Sequence, residues 1–215
     1  MIWIEPENWE RTKLLEKYLE YDFPYINLGA EVDVTGLYRI SKKHGLSFYC
    51  AMIHTVTKTA LEIRNFKYRF WNGKPLICES LTPVFTYLPK GEEQFYLVNC
   101  PFEEDMAHFC RQALEKAILI GKSGKHEYGI APDDMEILYI SCIPWVHYTH
   151  FIRTVKIGGI DNIPRISWGK YITTADGRMT MPVSVQVHHG LMDGYHVGMF
   201  FQKLEERLNG YSRLA

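Results

Sequence analysis

The amino-acid sequence predicts an α+β fold with a largely mixed or antiparallel sheet. Helical patterns come early, strand patterns crowd the middle, and a long hairpin precedes one last helix. The regular strand–helix alternation of a doubly wound nucleotide-binding fold is missing, and so are GxGxxG and GxxxxGK[ST] motifs. No Pro/Ser/Gly-rich linker or internal repeat divides the 215 residues, so one domain over 1–215 is expected.

Each element has its own local reason. After a short first strand, Pro6-Glu7-Asn8 marks a helix start, and an amphipathic helix is expected from Trp9 to about Tyr21. Tyr25–Val34 alternates and carries β-branched Ile26, Val32 and Val34, which predicts a strand. Thr35 suits a cap for a helix through Lys43, broken at His44-Gly45. A second helix is expected over Ser47–Glu62, where Phe48, Met52, Val56 and Leu61 fall near a 3.6 period. Lys67–Trp71 and Lys74–Cys78 flank Asn72-Gly73, a type I′ hairpin signal. Pro83–Leu88 and Glu93–Val98 read as strands joined through Pro89-Lys90-Gly91, and Phe102–Gly121 as a helix ending at glycine. Glu136–Ile143 is apolar and β-branched, ending before Pro144. Ile166–Thr173 and Met181–His188 form a hairpin around Ala175-Asp176-Gly177, and a helix from Gly194 to Leu208 ends at Asn209-Gly210.

Composition excludes several function classes. With 24 Lys+Arg against 25 Asp+Glu the net charge is −1, which argues against a phosphate-backbone binder. No apolar run approaches the roughly 18–20 residues that span a bilayer. The opening residues lack a signal-peptide pattern, and the five cysteines are scattered without CxxC; both point to a cytoplasmic protein with reduced thiols. Aromatic residues make up 14% of the chain. They suit either an aromatic-rich core or an aromatic-walled pocket for a flat ligand.

The chemistry-bearing stretch is Pro182 to His196. A β-branched strand runs into His188-His189, then a Gly-containing connection, then Asp193-Gly194 opening a helix. A histidine leaving a buried strand sits where pocket floors lie, and its imidazole suits proton abstraction near neutral pH. Asp193 fits a cap or an orienting group. By spacing alone, a core histidine with a capping aspartate is an equally good reading. His188, His189, Asp193 and His196 also allow a metal site, although nothing else supplies ligand spacing.

Val187 to Gly198 resembles the HHxxxDGxH signature of the chloramphenicol acetyltransferases. The resemblance continues in chain order. Asn8-Trp9-Glu10-Arg11 is similar to the family's N-terminal WxR, and Val32-Asp33-Val34-Thr35 to its (L/I)D(I/V)T. Phe48-Tyr49-Cys50 is similar to FYP, with cysteine for proline. Ser141 to Val146 resembles S-A-x-P-W-V, and Ser167 to Tyr171 resembles T-M-G/A-K-Y. The resemblance implies a two-layer sandwich with a large mixed β-sheet and packed helices, of the CoA-dependent acyltransferase kind.

It also implies an acetyl-CoA-dependent O-acetyltransferase. His189 would be the general base, taking the proton from an acceptor hydroxyl as its oxygen attacks the thioester in a ternary complex. Ser141 would donate to the oxyanion, and Ser167, a threonine in the family, would help hold a water there. Asp193 paired with Arg11 would support the His189 loop. Trp145, Lys170 and Tyr171 would line the coenzyme tunnel, while Tyr18, Thr86 and Phe95 would meet the acceptor. No metal and no permanently bound cofactor are implied; acetyl-CoA is a co-substrate. A homotrimer is implied, with the base from one subunit and much of the acceptor pocket from its neighbour.

Some positions depart from the family. Ser47 replaces the basic residue before FYP, with Lys42 or Lys43 as nearby cations. Ile26 replaces an aromatic ring, Pro24 a cysteine, and Leu97 a small residue. Such pocket changes put chloramphenicol itself in doubt, leaving another small hydroxylated acceptor open. His147 and His150 are additional and read as surface or strand residues, with a place near the coenzyme mouth as the alternative. Two other readings remain: a non-catalytic trimeric binding protein of this fold, and a dihydrolipoyl acyltransferase core, for which the chain carries no lipoyl module or linker.

Overall fold

The computed structural model describes residues 1–124, 135–158 and 161–214. Its strands are β1 (Ile2–Trp3), β2 (Tyr25–Asp33), β3 (Tyr68–Trp71), β4 (Lys74–Ile77), β5 (Thr82–Tyr87), β6 (Tyr96–Asn99), β7 (Ile137–Ile143), β8 (Arg165–Gly169), β9 (Ile172–Thr173) and β10 (Met179–His188). Its α-helices are α1 (Thr12–Leu19), α2 (Thr35–Lys43), α3 (Phe48–Leu61), α4 (Met106–Ser123) and α5 (Gly194–Ser212). The main sheet runs β2-β10-β8-β7-β5-β6, with β9 also on β10. It is mixed: β5, β7 and β8 pair in parallel, whereas β2, β8 and β9 pair with β10 in antiparallel register. A small sheet, β1-β4-β3, stands beside it.

The two faces of the main sheet differ because side chains alternate along each strand. Leu138 and Ile140 of β7, Ile166 and Trp168 of β8, and Val183, Val185 and Val187 of β10 join the core with apolar residues of α2, α3, α4 and α5. The intervening residues are polar: Tyr139 and Ser141, Arg165 and Ser167, Ser184, Gln186 and His188. A second cluster of Trp9, Leu15, Tyr68, Phe70 and Leu191 joins the N-terminal segment, the small sheet and the turn after β10.

Where the expected boundaries miss, packing explains the difference. The first helix starts at Thr12, because Pro6–Asn8 form a separate 3-10 turn and Trp9 turns extended to meet Tyr68 edge-on, 5.1 Å between ring centroids. Helix α4 starts after Asp105, whose carboxylate accepts from the His108 N–H at 2.6 Å, and ends at Gly124 with φ +62°. Strand β6 begins at Tyr96 rather than Glu93. The strand expected over Ile166–Thr173 breaks at Lys170, whose N–H leaves the ladder for the Val146 carbonyl at 2.8 Å. Helix α5 continues past Asn209-Gly210 because Tyr211 packs on the core. The hairpin at Asn72-Gly73 has positive φ at both residues, +50° and +76°, as a type I′ turn requires.

Helix α2 lies against the last turn of α5 at Gly36. A Cβ there would fall 2.3 Å from the Ser212 nitrogen and 2.6 Å from its Cα, so backbone must move. Gly36→Ala is expected to cost roughly 1–3 kcal/mol. Thermal unfolding monitored by circular dichroism checks this; an unchanged Tm would show that the α2–α5 contact yields freely.

Candidate active site

The turn between β10 and α5 is anchored on both sides. Leu191 is buried in the second cluster and Met192 in the main core, each burial contributing about 1.5–3 kcal/mol. Asn65 Nδ2 donates to the Leu191 carbonyl at 3.0 Å, and the His189 N–H donates to the Pro24 carbonyl at 2.8 Å. Arg11 completes the brace. Its Nη1 and Nη2 donate to the two Asp193 carboxylate oxygens, both at 2.9 Å, while Nη2 also reaches the His189 carbonyl and Nε the Gly190 carbonyl.

This brace orients the His189 ring. Its Nδ1 lies 3.2 Å from the Met192 carbonyl and 3.3 Å from Asp193 Oδ1. Both neighbours are acceptors, so the proton sits on Nδ1 and Nε2 keeps its lone pair. Tyr18 stacks on the ring, 4.3 Å between centroids. His196 takes a different part: its Nδ1 accepts from the Asp193 N–H at 3.1 Å, and burial pushes its pKa down, so it stays neutral at the start of α5.

The Arg11 hydrogen bonds hold Asp193 below the ordinary carboxylate range. A carboxylate pKa that is lowered by folding adds stability above the unfolded value, about 4, and loses it as pH falls through the folded one. Asp193→Asn should therefore flatten the acid limb of a Tm-against-pH curve below about pH 4. Asp193→Ala, which leaves the buried Arg11 without its carboxylate, is expected to cost roughly 2 kcal/mol near neutrality, since the pair is partly solvated.

A second group of side chains lies across the sheet. Ser184 pairs with Ser167, and Ser167 with Ser141, in a lateral row on the polar face. The Ser167 Oγ is buried without a hydrogen-bond partner among the described residues. Beside this row opens a cavity of about 1010 Å³. Ser141, Thr86, Phe95, Trp145, Lys170 and Tyr171 all line it, so it gathers six of the eleven expected site residues. The break at Lys170 brings that residue and Tyr171 to the cavity. His147 Nδ1 at 2.9 Å from the Lys170 carbonyl ties the Trp145 loop to the same turn. Trp145 is 65% exposed and Phe95 45%, whereas Ser141 is 8% exposed.

His189, Tyr18, Asp193 and Arg11 stand elsewhere. The Ser184–Ser167–Ser141 row sets the separation: His189 lies five residues beyond Ser184 along β10, and Ser141 two strands across. At the usual rise and strand spacing that is about 16 Å along and 10 Å across, or about 19 Å in all. Within one chain His189 and Ser141 cannot act on one atom. The acceptor set divides likewise, Tyr18 with His189 and Thr86 with Phe95 in the cavity.

The chain matches the chloramphenicol acetyltransferase family model over residues 2–205. It belongs to that family. A chloramphenicol acetyltransferase of Clostridium perfringens is 29% identical over 212 residues, covering 97% of this chain and 94% of that relative. A solved chloramphenicol acetyltransferase structure superposes with a TM-score of 0.88 at 26% identity, covering 95% of this chain and 98% of the other. A structure described as a probable dihydrolipoamide acetyltransferase from Listeria monocytogenes shares the fold at 16% identity, with a TM-score of 0.67. The α+β architecture and the acyltransferase class expected from the sequence are thus those of the chloramphenicol acetyltransferase family and its structural neighbours.

The departures from the family pattern have local consequences. Ser47, in place of the basic residue, caps α3 by accepting from the Cys50 N–H at 3.3 Å. Lys42 sits over the Tyr38 ring at 5.3 Å, and Lys43 is exposed. Leu97 lines the cavity and pairs with Thr86 on the neighbouring strand. Ile26, on β2, is paired with Val187 of β10, and Pro24 supports His189 through its carbonyl. Arg153, Arg165 and Tyr139 also line the cavity and were absent from the sequence reading. Tyr139 and Arg165 had a signal, each lying two residues before a singled-out serine on the same strand face; Arg153 had none. Among the described residues no three His, Cys, Asp or Glu side chains gather to hold a metal, and no helix is long and apolar enough to cross a membrane.

Proposed function

We propose that this protein is an acetyl-CoA-dependent O-acetyltransferase acting on chloramphenicol or a similar small hydroxylated molecule. The observation that carries the reading is the His189 imidazole, its proton held on Nδ1 by two acceptors and its Nε2 left as a base. Nε2 takes the proton of the acceptor hydroxyl while that oxygen attacks the thioester carbonyl. The carbonyl oxygen gains negative charge, which the Ser141 hydroxyl stabilises by donating a hydrogen bond. Collapse of the tetrahedral intermediate expels the coenzyme thiolate, which receives the proton from His189. Both substrates are bound together, and no acyl-enzyme is formed. The orphaned Ser167 Oγ is suited to hold a water beside the oxyanion.

Trp145 and Tyr171 offer ring faces to the adenine and Lys170 a cation to a phosphate, at the exposed end of the cavity. Thr86 and Phe95 from the cavity, and Tyr18 from beside His189, contact the acceptor. The 19 Å gap supports a site shared between copies, with His189 of one subunit facing the cavity of the next. A closed ring of three meets that need with one interface type. We read residues 1–215 as one domain working in the cytoplasm.

Loss of the Asp193 brace frees the His189 ring, so Asp193→Ala is expected to lower kcat by roughly 100-fold. Thiol release from acetyl-CoA in the presence of chloramphenicol, followed with a disulfide chromophore, tests the reading. Release with other alcohols alone would keep acetyl transfer and change the acceptor. No release with any alcohol would leave a binding protein of this fold.

A further inference from the structure

We propose that the acceptor carries an anionic group, recognised by Arg153 about 7 Å from the reacting centre; this rests on the acetyl-transfer reading. Four charged side chains line the cavity: Glu93, Arg153, Arg165 and Lys170. Glu93 and Lys170 are exposed. Arg165 already has its counter-ion, with Nη1 and Nη2 both donating to the Asp161 carboxylate. Arg153 has none among the described residues. Its main chain is tied to Gln186, N–H to Oε1 at 2.8 Å, but its Nη1 is buried without a hydrogen-bond partner. The guanidinium rests on the Tyr139 ring at 5.8 Å, with Arg165 on the same ring at 5.3 Å. Burial first, and then the nearby Arg165, push the Arg153 pKa down to about 10, against a smaller opposing pull from Asp161, whose carboxylate oxygens are both taken by Arg165. A buried guanidinium nitrogen without an acceptor, as Nη1 is here, is costly unless an anion arrives to pair with it.

Position along β7 sets that anion away from the Trp145–Lys170 end given to the coenzyme, which leaves it to the acceptor. Tyr139, under Arg153, precedes Ser141 by two residues on the same face; Trp145 follows it by four. On β8, Arg165 precedes Ser167 by two residues and Lys170 follows it by three. The Arg153 cation and the Trp145–Lys170 end therefore flank the serine pair on opposite sides. At the usual strand rise, two residues set the anion about 7 Å from the hydroxyl being acetylated. An aromatic carboxylate with a para hydroxymethyl group spans that distance.

The test compares 4-(hydroxymethyl)benzoate with its neutral analogue 4-(hydroxymethyl)benzamide by calorimetric titration. The protein is expected to bind the benzoate roughly ten- to a hundredfold more tightly. In Arg153→Leu the ratio of affinities should fall to about one, and Arg153→Gln, which keeps a polar group at the site, should do the same. Equal affinities in the unsubstituted protein, no binding of either probe, or a ratio kept in both variants would overturn the proposal. So would a raised KM for acetyl-CoA as the only effect of Arg153→Leu, which would give the cation to the coenzyme. Thiol release with the same two alcohols separates the two readings. Benzoate preference with no release from these or any other alcohol leaves the anion site and removes acetyl transfer; release with equal affinities does the reverse.

Discussion

His189→Ala is expected to lower the rate of acetyl transfer by at least roughly 10²–10⁴-fold, with little change in the affinity for acetyl-CoA. An acceptor hydroxyl is a poor nucleophile while it keeps its proton, and no other base is aligned with it in the proposed site. The ring is held by the Met192 carbonyl and Asp193 on one edge and by Tyr18 on one face, so its free nitrogen has a fixed direction. The substitution removes the base but leaves Leu191 and Met192 in their cores, so the fold should persist. Steady-state thiol-release kinetics, with a Tm as control, measure both. A variant that kept its turnover would remove His189 from the reaction.

Ser141→Ala should reduce kcat by roughly 10²–10³-fold with KM nearly unchanged. Ser141 is 8% exposed and lines the cavity, on a strand whose backbone is fixed by β5 and β8 on either side. A donor so placed needs no reorganisation when charge appears on the carbonyl oxygen, and its effect is confined to the transition state. Alanine is nearly isosteric, so a large KM change with intact kcat would mean that Ser141 contacts a ground-state substrate instead. Ser141→Cys, which keeps a weak donor, should fall between the two.

Much of the fold was legible because its signals are local. The β-branched alternation of Tyr25–Asp33, the Asn72-Gly73 turn and the periodic apolar residues of Phe48–Leu61 each act within a few residues. The errors arose where distant packing overrode local preference. Trp9 left its helix for Tyr68, and Tyr211 carried α5 through a glycine. At the site, the motifs named residues but not their arrangement. The distance between His189 and Ser141 depends on strand order and register, β10-β8-β7, which no local pattern encodes. Arg153 was invisible for a related reason. It lies in the irregular stretch between β7 and β8, and only the fold of that stretch over the polar face brings it to Tyr139.

The central claim is that catalysis joins His189 of one subunit to Ser141 of another. Mixing the two inactive variants tests it. His189→Ala and Ser141→Ala chains are co-expressed with different tags, and mixed oligomers are isolated through both tags and verified by mass spectrometry. Random assembly of the two chains into trimers pairs an intact His189 with a neighbour's intact Ser141 at about one quarter of the interfaces. The account predicts recovery of roughly a quarter of the unsubstituted rate, somewhat more once single-variant trimers are removed. Verified mixed trimers that stayed as inactive as either parent would contradict it.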